Sequence, residues 1–216
     1  MTDAVGIDVW GAVRDERIAL IADLERLRPE QWSAPSLCAG WTVRDVVAHL
    51  VAATEASGAA IALALARSGF RLNRMLGDDA RRRARGRTPD ELLAAYRGCV
   101  GSEHTPPATR PWQMLSDTML HSQDIRRPVG LRREFPGDRL VTVLDRLAPM
   151  RPILGVKQRI AGLRLRATDL DWTFGQGPEV AGLGEALMMA MGGRSAALVD
   201  LDGEGVTILR QRLLAG

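Results

Sequence analysis

The sequence predicts a mainly α protein: a helical bundle over residues 1–150, followed by a small α/β domain over residues 151–216. Three observations carry that expectation. Apolar residues recur at helical spacing in segment after segment of the first two thirds of the chain. Prolines fall at the ends of those segments rather than inside them. Beyond Ile160 the pattern changes to alternation, with Leu163, Leu165 and Ala167 set against Arg164, Arg166 and Thr168, as in a half-buried strand.

The elements follow in order. From Ile7 to Leu27, Trp10, Val13, Leu20, Ile21, Leu24 and Leu27 form an apolar stripe among charged residues, and Pro29 ends the helix. Trp32 to Gly40 is a loop broken by Pro35. Thr42 and Asp45 open a second helix in the pattern of a capping box, and it is expected to run from Val43 to about Arg67. Ser68 to Arg87 is basic and is expected to be irregular. Thr88-Pro89-Asp90-Glu91 supplies a cap, a proline at the first helical position and an acid at the third, so a third helix runs to about Gly101. After Pro106 and Pro107 a fourth helix spans about Pro111 to Arg126, and a fifth spans Asp138 to Leu147. Pro149 and Pro152 mark a linker. The remainder reads as a strand near Leu163–Thr168, a second strand at Leu170–Phe174, a turn at Gly175–Pro178, and helices at Glu185–Met191 and Val206–Leu214.

Bulk properties narrow the function. The 216 residues are 46% hydrophobic and 25% charged, an ordinary globular composition. A net charge of +3 gives no case for nucleic acid, and the arginines from Arg81 to Arg87 lack interleaved aromatics, so they are expected to be solvated. The Ala-rich run from Ala59 to Ala66 is too short to cross a bilayer, and no signal-peptide pattern is present. Two cysteines, Cys38 and Cys99, make no disulfide framework, which suits a cytoplasmic protein and excludes a thiolate-built zinc site.

One constellation carries chemistry. In the fourth helix Asp117, His121 and Asp124 are spaced i, i+4, i+7 and share a face, opposite Trp112, Leu115 and Met119. A carboxylate and an imidazole four apart on a helix can bind one ion. His49, at the margin of the second helix's apolar stripe, supplies a third ligand. Two imidazoles and one carboxylate leave positions open for water or substrate, and they suit zinc, nickel, iron or cobalt alike. A half-exposed polar face without metal is the competing reading of the same residues. Asp124 is expected either to orient an imidazole or to pair with Arg126 or Arg127. Arg194, after Gly192-Gly193, and Arg126 are candidates to hold a carboxylate of substrate or cosubstrate, with an ion-pair role as the alternative. Cys38, Cys99 and His104 are expected to be structural, and Trp41 can frame a cleft.

The stretch from Gly40-Trp41-Thr42-Val43-Arg44-Asp45 to His49, together with Asp117, His121-Ser122-Gln123-Asp124-Ile125-Arg126-Arg127-Pro128, resembles the mycothiol-dependent maleylpyruvate isomerase family. Arg166 to Trp172 and Gly177 to Val180 are similar to that family's small C-terminal domain. The resemblance implies a DinB-like four-helix bundle with His49, Asp117 and His121 as ligands of a divalent ion, commonly zinc. It implies mycothiol as thiol cosubstrate and a small-molecule substrate. A monomer or homodimer that engages neither nucleic acid nor membrane is expected. Where the family typically has glutamate, this chain has Asp117, shorter by one methylene. The implied chemistry is isomerisation or S-transfer through a thiolate. A thiol-independent metal hydrolase and a non-catalytic ligand-binding or regulatory module are the other functions this constellation allows.

Overall fold

The computed structural model describes residues 6–150 and 155–215, which divide into two compact units, Met1–Arg133 and Glu134–Gly216. The first unit holds six helices: α1 (Val9–Leu24), α2 (Val43–Ala53), α3 (Gly58–Arg67), α4 (Leu72–Ala84), α5 (Pro89–Gly98) and α6 (Pro111–Arg126). Helices α1, α6, α2 and α5 pack pairwise in a closed ring, the four-helix bundle expected from the sequence. Its core includes Leu20, Leu24, Val43, Val46, Val47, Leu92, Tyr96 and Ile125. Helix α4 packs on the outside of α2, with α3 against α4.

Two expectations about local structure are corrected here. The long helix from Val43 to Arg67 is in fact two, α2 and α3. The Thr54 hydroxyl donates to the Val51 carbonyl at 2.8 Å and ends α2, while the Ser57 hydroxyl accepts from the Ala60 amide at 3.3 Å and starts α3. Side chains that bond the backbone locally offer it an alternative to the helical ladder, and here that alternative wins. The basic segment expected to be irregular instead contains α4. Its inner face is made of Met75, Gly77, Ala80 and Ala84, small residues that leave a weak apolar signal. Its outer face is laced by ion pairs of Arg74 and Arg81 with Asp78, and of Arg82 and Arg83 with Asp79.

The second unit contains α7 (Gly137–Leu147), α8 (Val156–Ile160), α9 (Gly184–Met191), α10 (Val206–Leu214) and a four-stranded sheet. Strands β1 (Arg164–Ala167), β2 (Thr173–Gly175), β3 (Glu179–Gly182) and β4 (Leu201–Asp202) lie in the order β2-β1-β3-β4. The β1–β2 and β3–β4 pairs are antiparallel and β1–β3 is parallel, with Leu165 opposite both Phe174 and Val180. Leu165 and Ala167 are buried and Arg164 is exposed, as the alternation predicts. Helix α7 packs against α9, and Asp145 of α7 accepts a 2.8 Å bond from the Trp172 indole. This helix, read from the sequence as the end of the first domain, therefore packs within the compact unit that begins at Glu134. Of the expected linker prolines, Pro152 lies outside the described residues. Among the described residues no helix is long and apolar enough to cross a membrane.

Candidate metal centre

The centre is assembled from α2, α6 and the loop between α1 and α2. Thr42 and Asp45 start α2 as expected: the Thr42 amide and hydroxyl donate to the Asp45 carboxylate at 2.8 and 2.7 Å. One turn on, His49 emerges at the edge of the buried stripe, half-buried. On α6, Trp112, Leu115 and Met119 bury one side, which leaves Asp117 and His121 together on the other. The loop is tied to α6 by the Leu37 amide, which donates to the Asp124 carbonyl at 3.1 Å. Gly40, with φ +74, turns the chain so that Trp41 follows at the start of α2.

The three residues singled out from the sequence converge. Ligand atoms of His49, Asp117 and His121 all lie within 4.8 Å of one another. Oδ1 of Asp117 stands 3.7 Å from His49 Nε2 and 3.4 Å from His121 Nε2. The two imidazoles meet edge to face with centroids 4.8 Å apart. Trp41 covers both: it stacks on His121 at 6.2 Å and meets His49 edge-on at 5.2 Å. The far side of His121 is also held, since Nδ1 lies 2.9 Å from Oδ2 of the fully buried Asp124. Asp124 thus takes the imidazole-orienting position, which fixes Nε2 as the atom directed toward His49 and Asp117.

Electrostatics match the geometry. Burial disfavours an ionised Asp117, but the neighbouring imidazoles of His121 and His49 outweigh it and hold the carboxyl well below the usual carboxylate range. Burial likewise disfavours a charged His121, yet Asp117, Asp124 and Cys38 outweigh it and raise that imidazole well above its ordinary value of 6.5. A site that gathers a carboxylate and two imidazoles this closely suits a divalent cation. Oδ2 of Asp117, buried and without a hydrogen-bond partner among the described residues, shows that protein groups alone leave the carboxylate incompletely satisfied.

Cys38 is the member that sequence reasoning missed. Its Sγ lies 3.0 Å from Asp124 Oδ2 and 3.5 Å from His121 Nδ1, where it adds a third neighbour behind the imidazole. The partners are 83 and 86 residues away, so no local pattern could have signalled them. His104 is exposed and bonds the Ala56 carbonyl at 2.9 Å, as a loop histidine.

The arginines separate. Arg126 is completely buried; its Nε donates to Asp23 at 2.6 Å and Nη1 to Ser122 at 2.9 Å. It forms an internal ion pair of the bundle, the alternative weighed for it from the sequence. Arg194 lies in the second unit just after α9, half-buried, with Nη1 donating to the Gly192 carbonyl at 2.6 Å. Arg159 is close enough that its own pKa is lowered, by burial first and then by the charge of Arg194.

Fold and cluster together define a class: a helical bundle with a small α/β unit, in which α2 and α6 bring His49, Asp117 and His121 together. Residues 13–105 match the family model of the mycothiol maleylpyruvate isomerase N-terminal domain. The fold is shared with the crystal structure of the mycothiol-dependent maleylpyruvate isomerase, at 15% identity and a TM-score of 0.64, over 91% of this chain and 92% of that one. A point mutant of that enzyme matches at 14% identity and a TM-score of 0.63 with the same coverage. Curated proteins give no match. The resemblance to the mycothiol-dependent maleylpyruvate isomerase family is thus shown, by sequence over the N-terminal domain and by fold over most of the chain. The matched stretch contains His49 but ends before α6, which carries Asp117 and His121.

Proposed function

We propose that this protein is a metal-dependent enzyme that uses mycothiol in isomerisation or S-transfer on a small electrophilic substrate. The family match and the shared fold point to a mycothiol-dependent, maleylpyruvate isomerase-like function. The observation that carries the metal is the convergence of His49 Nε2, His121 Nε2 and Asp117 Oδ1.

A divalent ion on this face, for which we propose zinc, supplies the Lewis acidity that favours the thiolate form of a bound thiol. The chain's own residues prepare the face. Asp124 engages Nδ1 of His121 and so leaves Nε2 to the ligand side. Trp41 packs against both imidazoles and helps to hold their orientation. Asp117 brings the negative charge that a dication requires. The cosubstrate thiolate then adds to a conjugated double bond of the substrate, forming a C–S bond and an enolate. Rotation about the resulting single bond, followed by collapse of the enolate and expulsion of the thiolate, returns the isomerised alkene and the thiol. If the enolate is protonated instead, the C–S bond persists and the outcome is S-transfer. The cytoplasm, where a thiol cosubstrate stays reduced, is the location that goes with this chemistry.

Arg194 is the proposed carboxylate-holding residue. A charged hydrogen bond contributes roughly 1.5–3 kcal/mol, so Arg194→Ala is expected to raise KM for a carboxylate substrate by roughly 10–100-fold, with Arg194→Lys recovering part of the loss. The reading as a whole is tested by assaying maleylpyruvate and other conjugated unsaturated acids with zinc-loaded protein, with and without mycothiol. Turnover that needs both zinc and thiol supports it. Hydrolysis of esters or amides without thiol would make the protein a metal hydrolase, and no turnover under any condition would make it a binding module.

A further inference from the structure

The loop that leads into α2 folds back on itself over residues 35–42. Pro35 and Thr42 pair in an antiparallel bridge, the Ser36 amide donates to the Trp41 carbonyl at 2.9 Å, and the Trp41 amide donates to the Cys38 carbonyl at 3.0 Å. The Ser36 hydroxyl ties the inside of the turn: it accepts from the Cys38 amide at 3.1 Å and donates to the Trp41 carbonyl at 3.0 Å. These bonds give the loop one shape, and that shape sends two side chains to His121. The Trp41 indole stacks on a face of the imidazole with the planes 8° apart, while the Cys38 sulfur lies behind the ring, 3.5 Å from Nδ1.

Two successive residues of the loop hold Asp124. The Leu37 amide donates to its main-chain carbonyl at 3.1 Å, and the Cys38 thiol donates to its Oδ2 at 3.0 Å. The direction follows from the groups: a carboxylate oxygen accepts, and S–H is the donor. His121 Nδ1 lies 2.9 Å from the same Oδ2. One carboxylate oxygen has two lone-pair sites, so the thiol and the imidazole N–H fill it together. Asp124 is completely buried, and a buried acceptor that loses a donor is not easily resatisfied. A packing role for Cys38 asks only for volume. It does not ask that the sulfur meet the one oxygen that orients a ligand imidazole.

We propose that Cys38 is a positioning residue of the metal centre: its thiol donates to Oδ2 of Asp124, fixes the carboxylate that holds Nδ1 of His121, and so keeps Nε2 directed at the ion. This inference rests on the reading of His49, Asp117 and His121 as metal ligands. The sulfur acts here as a hydrogen-bond donor, and a hydroxyl in its place can do the same.

The test is zinc affinity, by competition with a chelator, of the full-length wild type, Cys38→Ala and Cys38→Ser, alone and combined with Asp124→Ala, together with the thermal midpoints of the metal-free forms. Ala and Ser are close in size and both lack the sulfur, so the difference between them reads the donor. Because Cys38 acts through Asp124, Cys38→Ala is expected to lose roughly 3–10-fold in affinity, less than the roughly 10–100-fold for removing the direct partner of a ligand. Cys38→Ser is expected to recover most of that loss. In the Asp124→Ala background, Cys38→Ala is expected to cost nothing further, since the two residues act as one unit. Wild-type affinity in Cys38→Ala, whatever its thermal midpoint, would overturn the proposal while leaving the metal reading intact. Equal losses in Cys38→Ala and Cys38→Ser would also overturn it, because the sulfur itself would then be what the ion needs. Wild-type protein that binds no zinc would sink the metal reading, and the proposal with it. Should Cys38→Ala fail to fold, Cys38→Val takes its place as the variant without a donor; should the Asp124→Ala proteins fail to fold, the contrast with Cys38→Ser decides alone.

Discussion

His121 is the most constrained side chain of the centre, with a carboxylate on each side and a thiol behind it. Asp124→Asn keeps the size of that neighbour but can present an amide donor to Nδ1, which disturbs the tautomer that leaves Nε2 available. Zinc affinity of Asp124→Asn, measured by competition with a chelator, is expected to fall roughly 10–100-fold. The same surroundings set the pH dependence. In the metal-free protein the raised pKa of His121 contributes stability that is complete below its ordinary value and lost as pH rises through the folded value. The depressed pKa of Asp117 contributes stability that is present above the ordinary carboxylate range and lost as pH falls through the folded value. The pair therefore stabilises the metal-free protein most between about pH 4 and 6.5. An ion must displace the proton held by His121, so zinc affinity is expected to rise from pH 5.5 to 8, with proton release on binding seen as a buffer-dependent calorimetric heat. Affinity independent of pH over that range would show that His121 is not a ligand. The His-Asp-His set was legible from the sequence because i, i+4 spacing places two members on one helix turn. Cys38 was not, because only the folded chain brings it to Asp124.

The helices position these side chains through their ends as much as through their buried faces. Asp45 accepts from both the amide and the hydroxyl of Thr42, and it starts the turn that leads to His49. Asp45→Ala leaves the Thr42 amide without that acceptor and is expected to destabilise the protein by about 1–2 kcal/mol, read from denaturant midpoints at constant slope. In the bundle core, Leu115 is completely buried on the side of α6 away from Asp117, and Leu115→Ala is expected to cost about 2–5 kcal/mol. The same elements show where patterns fail. The starts of α2 and α5 were readable because their capping residues sit three apart in the chain. Helix α4 was not, since its buried residues include Gly77, Ala80 and Ala84 and its stability is distributed over Arg–Asp pairs. The break between α2 and α3 was hidden for a related reason: Thr54 and Ser57 fit a helical stripe until their hydroxyls bond the backbone.

Across the molecule, the bundle brings His49, Asp117 and His121 together, and the second unit forms its own sheet and helices. The alternation at Arg164–Ala167 identified one of the sheet's two central strands, but the other, β3, was missed because Val180, Ala181 and Gly182 are all buried and give no period-two signal. The pattern also could not show that α7 packs with that sheet's unit. Its apolar stripe fits a bundle equally well, and its bond partner Trp172 is 27 residues away. Because a ligand that binds only the folded state stabilises it, zinc is expected to raise the thermal midpoint of the wild type, and chelation is expected to reverse the gain.

The most direct measurement is metal content per chain by elemental analysis of untagged protein, in wild type and in a His49→Ala/His121→Ala double variant. Near-stoichiometric metal in the wild type that disappears in the double variant is the result the His-Asp-His assignment predicts. Wild-type protein that remains empty after incubation with zinc, nickel and iron, or a double variant that keeps its metal, would contradict it.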